Sequence, residues 1–360
     1  MFVSSIKRQS VAIKLLSLSI FISPSVLSAN ELSPARSIEV AVVSGEQLPA
    51  LIGKELKDYS VMVVEDGELS PIPYQFDERN EGGFLYASGG SLAITGTEDV
   101  LDEEDELAFM LKDAGTMKAS AEQLAAVPGI MINEVEVELG DHSRYAYIVE
   151  GNDSRSEKRY THFDKETGLI KTSAYSLQVD PDNLLQWGDF MYEGFTANKS
   201  ILDTMKLRVN AKLGFIKATV HNKFIPSDIV AVKNGPVRTI IEMDASIGIL
   251  GVNVIQAGAS VLITENSTQF PVFVTIPKAA SVLSYLDIEV SLDMDNMKNA
   301  RYRTELGPKE PVLQGGGGAD PKDLKVDLEH NWLSLSSNDN WDIIAFFNRN
   351  KDITLTLEAL

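Results

Sequence analysis

Alternation of apolar and polar residues with a period of two runs through most of this chain and restricts it to β structure. Leu207, Val209, Ala211 and Leu213 alternate with Arg208, Asn210 and Lys212, and Leu286, Ile288, Val290 and Leu292 alternate with Asp287, Glu289 and Ser291. Shorter runs of the same kind are Ile38–Val43, Val61–Val64, Val135–Leu139, Tyr145–Val149, Val237–Met243 and Ile353–Leu357. One apolar and one polar face per strand is what half-buried antiparallel sheets require. Helical periodicity is confined to Ser120–Val127, where Ser120 and Gln123 stand at capping-box spacing and Pro128-Gly129 ends the segment. The pattern predicts a mainly β protein: a large antiparallel β-sandwich, or supersandwich, over 151–360, preceded by a smaller β region over 30–150. The boundary is drawn at Gly151–Lys158, which is polar and rich in turn formers.

Ala245–Ile263 has no charged residue but contains three glycines, Asn253 and Gln256. It reads as two buried strands broken at Gly251 or at Ala257-Gly258, because a membrane helix would gain nothing from those groups. Gly315–Gly318 reads as a loop or hairpin tip.

The amino-terminal end has its own pattern. Lys7, Arg8 and Lys14 precede an apolar run, Leu15–Leu27, which closes on Ser28 and Ala29. A basic start, a short apolar core and a small-residue exit are the marks of an export signal over 1–29. The run is shorter than the roughly 20 residues a spanning helix needs. Periplasm or secretion is the expected location. Removing three cations and no acid takes the net charge from −20 to −23. Such a surface repels nucleic acid, and it opposes an acidic polymer unless cations intervene. There is no cysteine, so the fold depends on its core, and the four histidines, His142, His162, His221 and His330, show no ligand spacing for zinc.

Two segments carry candidate chemistry. Glu98–Glu106 holds seven acids in nine positions, and Pro71–Arg79 (PIPYQFDER) holds another acidic pair. Crowded carboxylates are relieved by a cation, and oxygen ligands in an exported chain favour Ca²⁺, with Asp77, Asp102 and Asp105 as candidate ligands. The spacing does not match a helix–loop–helix calcium loop. The alternative is a solvated acidic loop paired in part by Arg79 or Lys112. Trp187, Tyr192 and Phe195 stand close together beside Asp189 and Glu193. Ring faces beside carboxylates suit a sugar, and core packing is the alternative for them as for Trp332 and Trp341.

The Pro71–Arg79 segment, followed by Asp105-Glu106-Leu107-Ala108-Phe109, resembles a pattern in exported bacterial proteins in which P-x-Q-x-D precedes D-E-L-x-F by a few tens of residues. Some of those proteins accompany polysaccharide-degrading systems. Asn234-Gly235-Pro236-Val237-Arg238 is similar to a strand entry in sugar-active β-supersandwich proteins, the mutarotase-like and polysaccharide-lyase group. The first resemblance covers about forty residues and the second five, and a turn entering a strand accounts for the second equally. Together they imply a protein that binds or processes carbohydrate. In an enzyme acting on an acidic glycan by elimination or hydrolysis, His221 or His162 would be the base, Arg238 would neutralise a substrate carboxylate, and Trp187, Tyr192 and Phe195 would hold the sugar. The competing reading is a non-enzymatic envelope accessory protein whose partner is another protein. No phosphate-binding loop and no nucleophile elbow is present.

Overall fold

The computed structural model describes residues 31–195, 199–249, 251–275, 277–314, 317–337 and 342–348. After a short helix, α1 (Pro34–Ser37), come β1 (Val40–Ser44), β2 (Tyr59–Glu65), β3 (Glu68–Pro71), β4 (Tyr74–Asp77), β5 (Glu106–Met110), helix α2 (Ala121–Ala126), β6 (Ile130–Glu138) and β7 (Ser143–Glu150). They form two antiparallel sheets, ordered β1-β5-β4 and β3-β2-β7-β6. The inward residues Val61, Val63, Leu107, Phe109, Ala146 and Ile148 make one core between them. The predicted helix is α2: Ser120 Oγ accepts from Gln123 N at 3.2 Å and Gln123 Oε1 accepts from Ser120 N at 2.8 Å.

Beyond residue 160 lie β8 (Thr161–Asp164), β9 (Leu169–Thr172), β10 (Tyr175–Asp180), β11 (Asn183–Tyr192), β12 (Leu202–Leu213), β13 (Ile216–His221), β14 (Ser227–Asn234), β15 (Thr239–Ile249), β16 (Val252–Ile263), β17 (Thr268–Gln269), β18 (Val272–Thr275) and β19 (Tyr285–Met294). Four short strands follow, β20 (Arg301–Arg303), β21 (Val312–Leu313), β22 (Trp332–Ser336) and β23 (Asp342–Phe346). The sheet orders are β11-β10-β9-β8, β14-β15-β16-β17 with β18 also on β16, β13-β12-β19, and β21-β20-β22-β23. Alternation decides what is buried: in β10, Tyr175, Leu177 and Val179 go inward while Ser176, Gln178 and Asp180 do not. Those side chains meet Ile241, Met243, Val261 and Ile263 of β15 and β16, so two sheets face each other across a sandwich core.

The far end of the same long hairpin, Ile247, Ile249 and Ile255, packs on Val209 and Ala211 of β12. The charge-free stretch is therefore the hairpin β15–β16, turning at Gly251 with φ +79°, the left-handed region glycine adopts without penalty. The two most regular alternating runs pair with each other: Val209 is opposite Ile288 and Leu207 opposite Val290. On β12 this face is covered. On the edge strand β19, Ile288, Val290 and Leu292 stay exposed. The strand expected at Ile353–Leu357, like the signal segment 1–29, Gly315, Gly316 and Trp341, lies outside the described residues.

No strand pairing among the described residues crosses 151–160. The two regions meet instead through side chains. Met110 packs with Tyr160 and Val237, and Leu85 and Ala87 pack with Ala231 and Ile240. Ser91, on a loop of the first region, donates its N–H to Glu242 at 2.8 Å and its hydroxyl to Asp244 at 2.6 Å.

Candidate functional site

The two short motifs singled out in the sequence are two halves of one joint. On β4, Gln75 and Asp77 share a face by parity, and Asp77 lies directly opposite Glu106 of β5. Two carboxylates in register repel, so this pairing needs a cation. Arg238 supplies it: its Nε donates to Asp77 at 2.7 Å and its Nη2 to Glu106. Lys233 Nζ lies 3.0 Å from the other Asp77 oxygen, and Arg79 pairs with the other oxygen of Glu106. Gln75 completes the arrangement. Its Nε2 donates to Asp77, and its Oε1 accepts the backbone N–H of Val237 at 3.0 Å and of Arg238 at 2.8 Å.

Arg238 is 5 % exposed and Asp77 is 0 % exposed. Burial opposes ionisation of Asp77, but Arg238 and Lys233 outweigh it and hold the carboxyl below its ordinary value. Burial likewise opposes the charge on Arg238, and Asp77 and Glu106 together raise its pKa. Gly235 belongs to the same joint for a steric reason: a Cβ there would stand 2.0 Å from Gln75 Oε1.

Above this joint lies a cleft of about 920 Å³ between the two regions. Its walls come from Glu55–Lys57, from Ile72, Pro73, Tyr74, Phe76 and Glu78 around β4, from Thr97–Val100, from Arg155, Ser156 and Arg159 of the connecting segment, and from Lys233 and Pro236. Arg155 donates to three backbone carbonyls, those of Asn152 at 3.2 Å, Ser154 at 2.9 Å and Lys57 at 2.8 Å, and stands 5.6 Å from the Tyr74 ring centre. Arg159 donates to the carbonyl of Asn234 at 2.6 Å. Among the described residues, neither guanidinium has a carboxylate partner.

The acids of the cleft differ in state. Glu55 is paired with Lys57 at 2.5 Å. Glu78, 5 % exposed, accepts the N–H of Asp99 at 2.6 Å and, among the described residues, has no cation within ion-pair distance, so burial pushes its pKa up to about 7. Asp105, just behind, is raised to about 6, again chiefly by burial. It accepts the N–H groups of Asp102 at 2.8 Å and Arg79 at 3.2 Å.

The other predicted site residues are dispersed. Asp102 Oδ1 takes the N–H groups of Glu104 at 2.8 Å and Asp105 at 3.2 Å. With Asp77 held by two cations, the three proposed calcium ligands are engaged inside the protein. Among the described residues, no group of three or more His, Asp or Glu side chains is placed to hold a metal ion. His221 is exposed at the end of β13, opposite Arg208, and His162 is exposed on β8, opposite Lys171. Trp187 donates its ring N–H to the Leu184 carbonyl at 3.1 Å and lies 5.1 Å from the Phe270 ring. Tyr192 packs against Phe190 at 5.1 Å, and Phe195 is buried with Ile201, Met297 and Tyr302. His221 and Trp187 thus stand in different sheets, and Arg238, in the turn between β14 and β15, has its charge satisfied internally. The aromatic group packs against the two cores rather than lining a groove.

Reading the sequence alone missed Glu78, Arg155 and Arg159 as cleft residues. Glu78 stands inside the quoted motif, and both arginines stand in or beside the segment taken as a boundary. The available signal was that a polar connector between two β regions lines whatever space lies between them.

No protein-family model matches the chain, and no curated protein matches it. Among solved structures, an alpha-mannosidase from Enterococcus faecalis V583 is similar over 82 % of this chain at 9 % identity and a TM-score of 0.42. The match takes in 34 % of that structure, so the chain spans about a third of its length.

Proposed function

We propose that this protein binds a carbohydrate bearing carboxylates, such as a uronate-containing glycan, in the cleft between its two β regions. The observation that carries the proposal is the pair Arg155 and Arg159, two guanidinium groups that, among the described residues, have no carboxylate partner, in a chain of net charge −20. Arg155 is held by backbone carbonyls and the Tyr74 ring, none of them charged, so its full charge is available, and N–H donors remain on both residues. Glu98 and Asp99 on the same walls repel a plain polyanion but accept hydrogen bonds from hydroxyl groups. Tyr74 and Pro73 offer the apolar surface on which a sugar ring rests. A ligand that presents both carboxylates and hydroxyls satisfies all of these groups at once.

Isothermal titration with trigalacturonate tests this directly. Binding to the wild type is expected, with at least a tenfold loss in Arg155→Ala/Arg159→Ala and weakening with salt. The same trisaccharide with its carboxylates reduced to hydroxymethyl groups should bind far less well. Equal affinity for both sugars, or no effect of the double substitution in a folded variant, refutes the assignment. The proposal extends to location: residues 1–29 are an export signal, and the protein recovered from its host should begin at Asn30. Recovery with Met1 intact would refute export by cleavage.

A further inference from the structure

We propose that a second copy of this chain extends the sheet β13-β12-β19, with β13 of one copy pairing to β19 of the next, so that the protein associates head to tail. This surface shares no residue with the cleft, and the two readings stand or fall separately.

Both outer strands of the sheet are open. Among the described residues, β13 and β19 pair only with β12, which lies between them. Natural edges are blocked by proline, by a bulge or by a charge turned inward. Neither strand contains proline, β13 pairs without a register shift, and β19 does so from Asp293 to Tyr285. The inward positions are apolar on both. On β19 they are Leu286, Ile288, Val290 and Leu292, in register with Ala211, Val209, Leu207 and Met205. On β13 they are Ile216, Ala218 and Val220, in register with Leu213, Ala211 and Val209. Val209 and Ala211 rest on the β15–β16 hairpin, but that cover stops short of the edges. Ile216, Ile288, Val290 and Leu292 stay between 45 % and 61 % exposed. Apolar side chains beside an unpaired strand mark a contact surface.

The outward positions carry opposite charge on the two edges. Asp287, Glu289 and Asp293 lie on β19, and Lys217 and His221 on β13. Lys217 stands opposite Lys212, so two like charges are in register. Among the described residues, neither lysine has a carboxylate within ion-pair distance. The acids of β19 are loosely matched in turn: Asn210 donates to Asp287 at 3.4 Å and to Glu289 at 3.1 Å, and Arg208 stands 4.0 Å from Glu289. Each edge supplies what the other lacks, and this commits the occupant to a second copy. Pairing of β19 with its own counterpart would set acid against acid, and β13 with its counterpart lysine against lysine.

Direction and register follow. Both strands run antiparallel to β12, hence parallel to each other, so a copy repeated along the sheet presents β13 to β19 in parallel. A slip of one residue would turn Ile216, Ala218 and Val220 to the wrong face, which restricts the register to even steps. In those registers the apolar residues of both strands share one face, and Lys217 comes among the acids on the other. The contact is heterologous and repeats, building a ring or a filament. The six residues of β13 span about 20 Å, so the ladder is short and the association is of the weak, transient class.

Sedimentation velocity on the protein purified from its host, from about 1 µM to about 200 µM, tests the inference. The wild type should grow in size with concentration. Val290→Lys on one edge and Lys217→Glu on the other should each move the association midpoint upward by about tenfold or more, with circular dichroism unchanged. Asp287→Lys/Glu289→Lys should do the same alone. An equimolar mixture of that variant with Lys217→Glu should associate again, because each mixed contact joins opposite charges. Recovery in the mixture also shows that both variants are folded. A wild type that stays monomeric throughout overturns the inference, as does association that survives substitution of either edge, or a mixture that remains monomeric.

Discussion

Replacing Arg238 with methionine keeps most of the side-chain volume and removes the charge that lies between Asp77 and Glu106. Both acids are buried, at 0 % and 6 % exposure, and neither can turn to water without opening the joint. Breaking a buried pair by removing one partner costs about 3–5 kcal/mol, because a charge is left uncompensated. Here Lys233 remains on Asp77 and Arg79 on Glu106, so the expected loss is at the lower end, about 3 kcal/mol. Against a typical total of about 5–15 kcal/mol that is a large fraction. Urea denaturation is the assay, followed by two probes. Trp187, Trp332 and Trp341 are the only tryptophans and all lie beyond residue 160, so their fluorescence reports the second region, while far-ultraviolet circular dichroism reports both. The two transitions should coincide in the wild type. In Arg238→Met the dichroism transition should broaden toward lower urea, because the first region loses its anchor. Adding Asp77→Asn to this variant should recover part of the loss, since the stranded charge goes with it. A destabilisation below about 1 kcal/mol, with both probes still superposed, would refute the claim that this ion network joins the two regions.

Other outcomes follow from the same geometry. Gly235→Ala places a methyl group against Gln75 Oε1, and should weaken the joint by roughly 1–3 kcal/mol without touching a charged residue; an unchanged urea midpoint would count against the close approach. Gly168→Ala combines φ +73° with a Cβ 2.1 Å from the Val179 carbonyl, and should cost roughly 1–3 kcal/mol in the second region alone, visible by fluorescence. Glu78 has a folded pKa of about 7 against 4.5 in the unfolded chain, so folding is favoured below pH 4.5 relative to alkaline pH, and that advantage is lost as pH rises to about 7. Glu78→Gln should therefore stabilise the protein at pH 8 by about 1–2 kcal/mol, the open cleft moderating the gain, and change nothing at pH 4; equal shifts at both pH values would contradict this. Asp77 acts in the reverse sense. Its depressed pKa contributes stability above the ordinary carboxylate value and loses it as pH falls through the folded value, so Asp77→Asn should flatten the acid limb of the unfolding curve.

Much of the fold was legible locally. Strict alternation in β12 and β19 and the capping box of α2 are set by residues within a few positions of one another, and the same local reading narrowed the break in the charge-free stretch to Gly251 or Ala257-Gly258. Local patterns also marked Gln75, Asp77, Glu106 and Arg238 as unusual. What they do was not legible, because each partner lies more than a hundred residues from Arg238 along the chain, at separations of 161 for Asp77 and 132 for Glu106. Arg238 read alone is a cation awaiting a substrate, and Asp77 read alone is an oxygen ligand awaiting a metal. Brought together they satisfy each other.

The aromatic group near Trp187 shows the same limit. Spacing cannot say whether a ring meets a sugar or Phe270, since both present an apolar face. The acidic loop shows it for charge: Asp102 and Asp105 are accounted for by backbone N–H groups that no composition count includes.

By itself, then, the sequence determined that this chain is β and where its strands alternate, because those follow from side-chain periodicity and turn chemistry along a contiguous stretch. Only the tertiary structure decided which charges cancel and which remain. That depends on burial and distance, and these are properties of the folded pair rather than of either residue. Among the described residues it left Arg155 and Arg159 without acidic partners in the cleft, and it closed the account of Arg238 against two buried carboxylates.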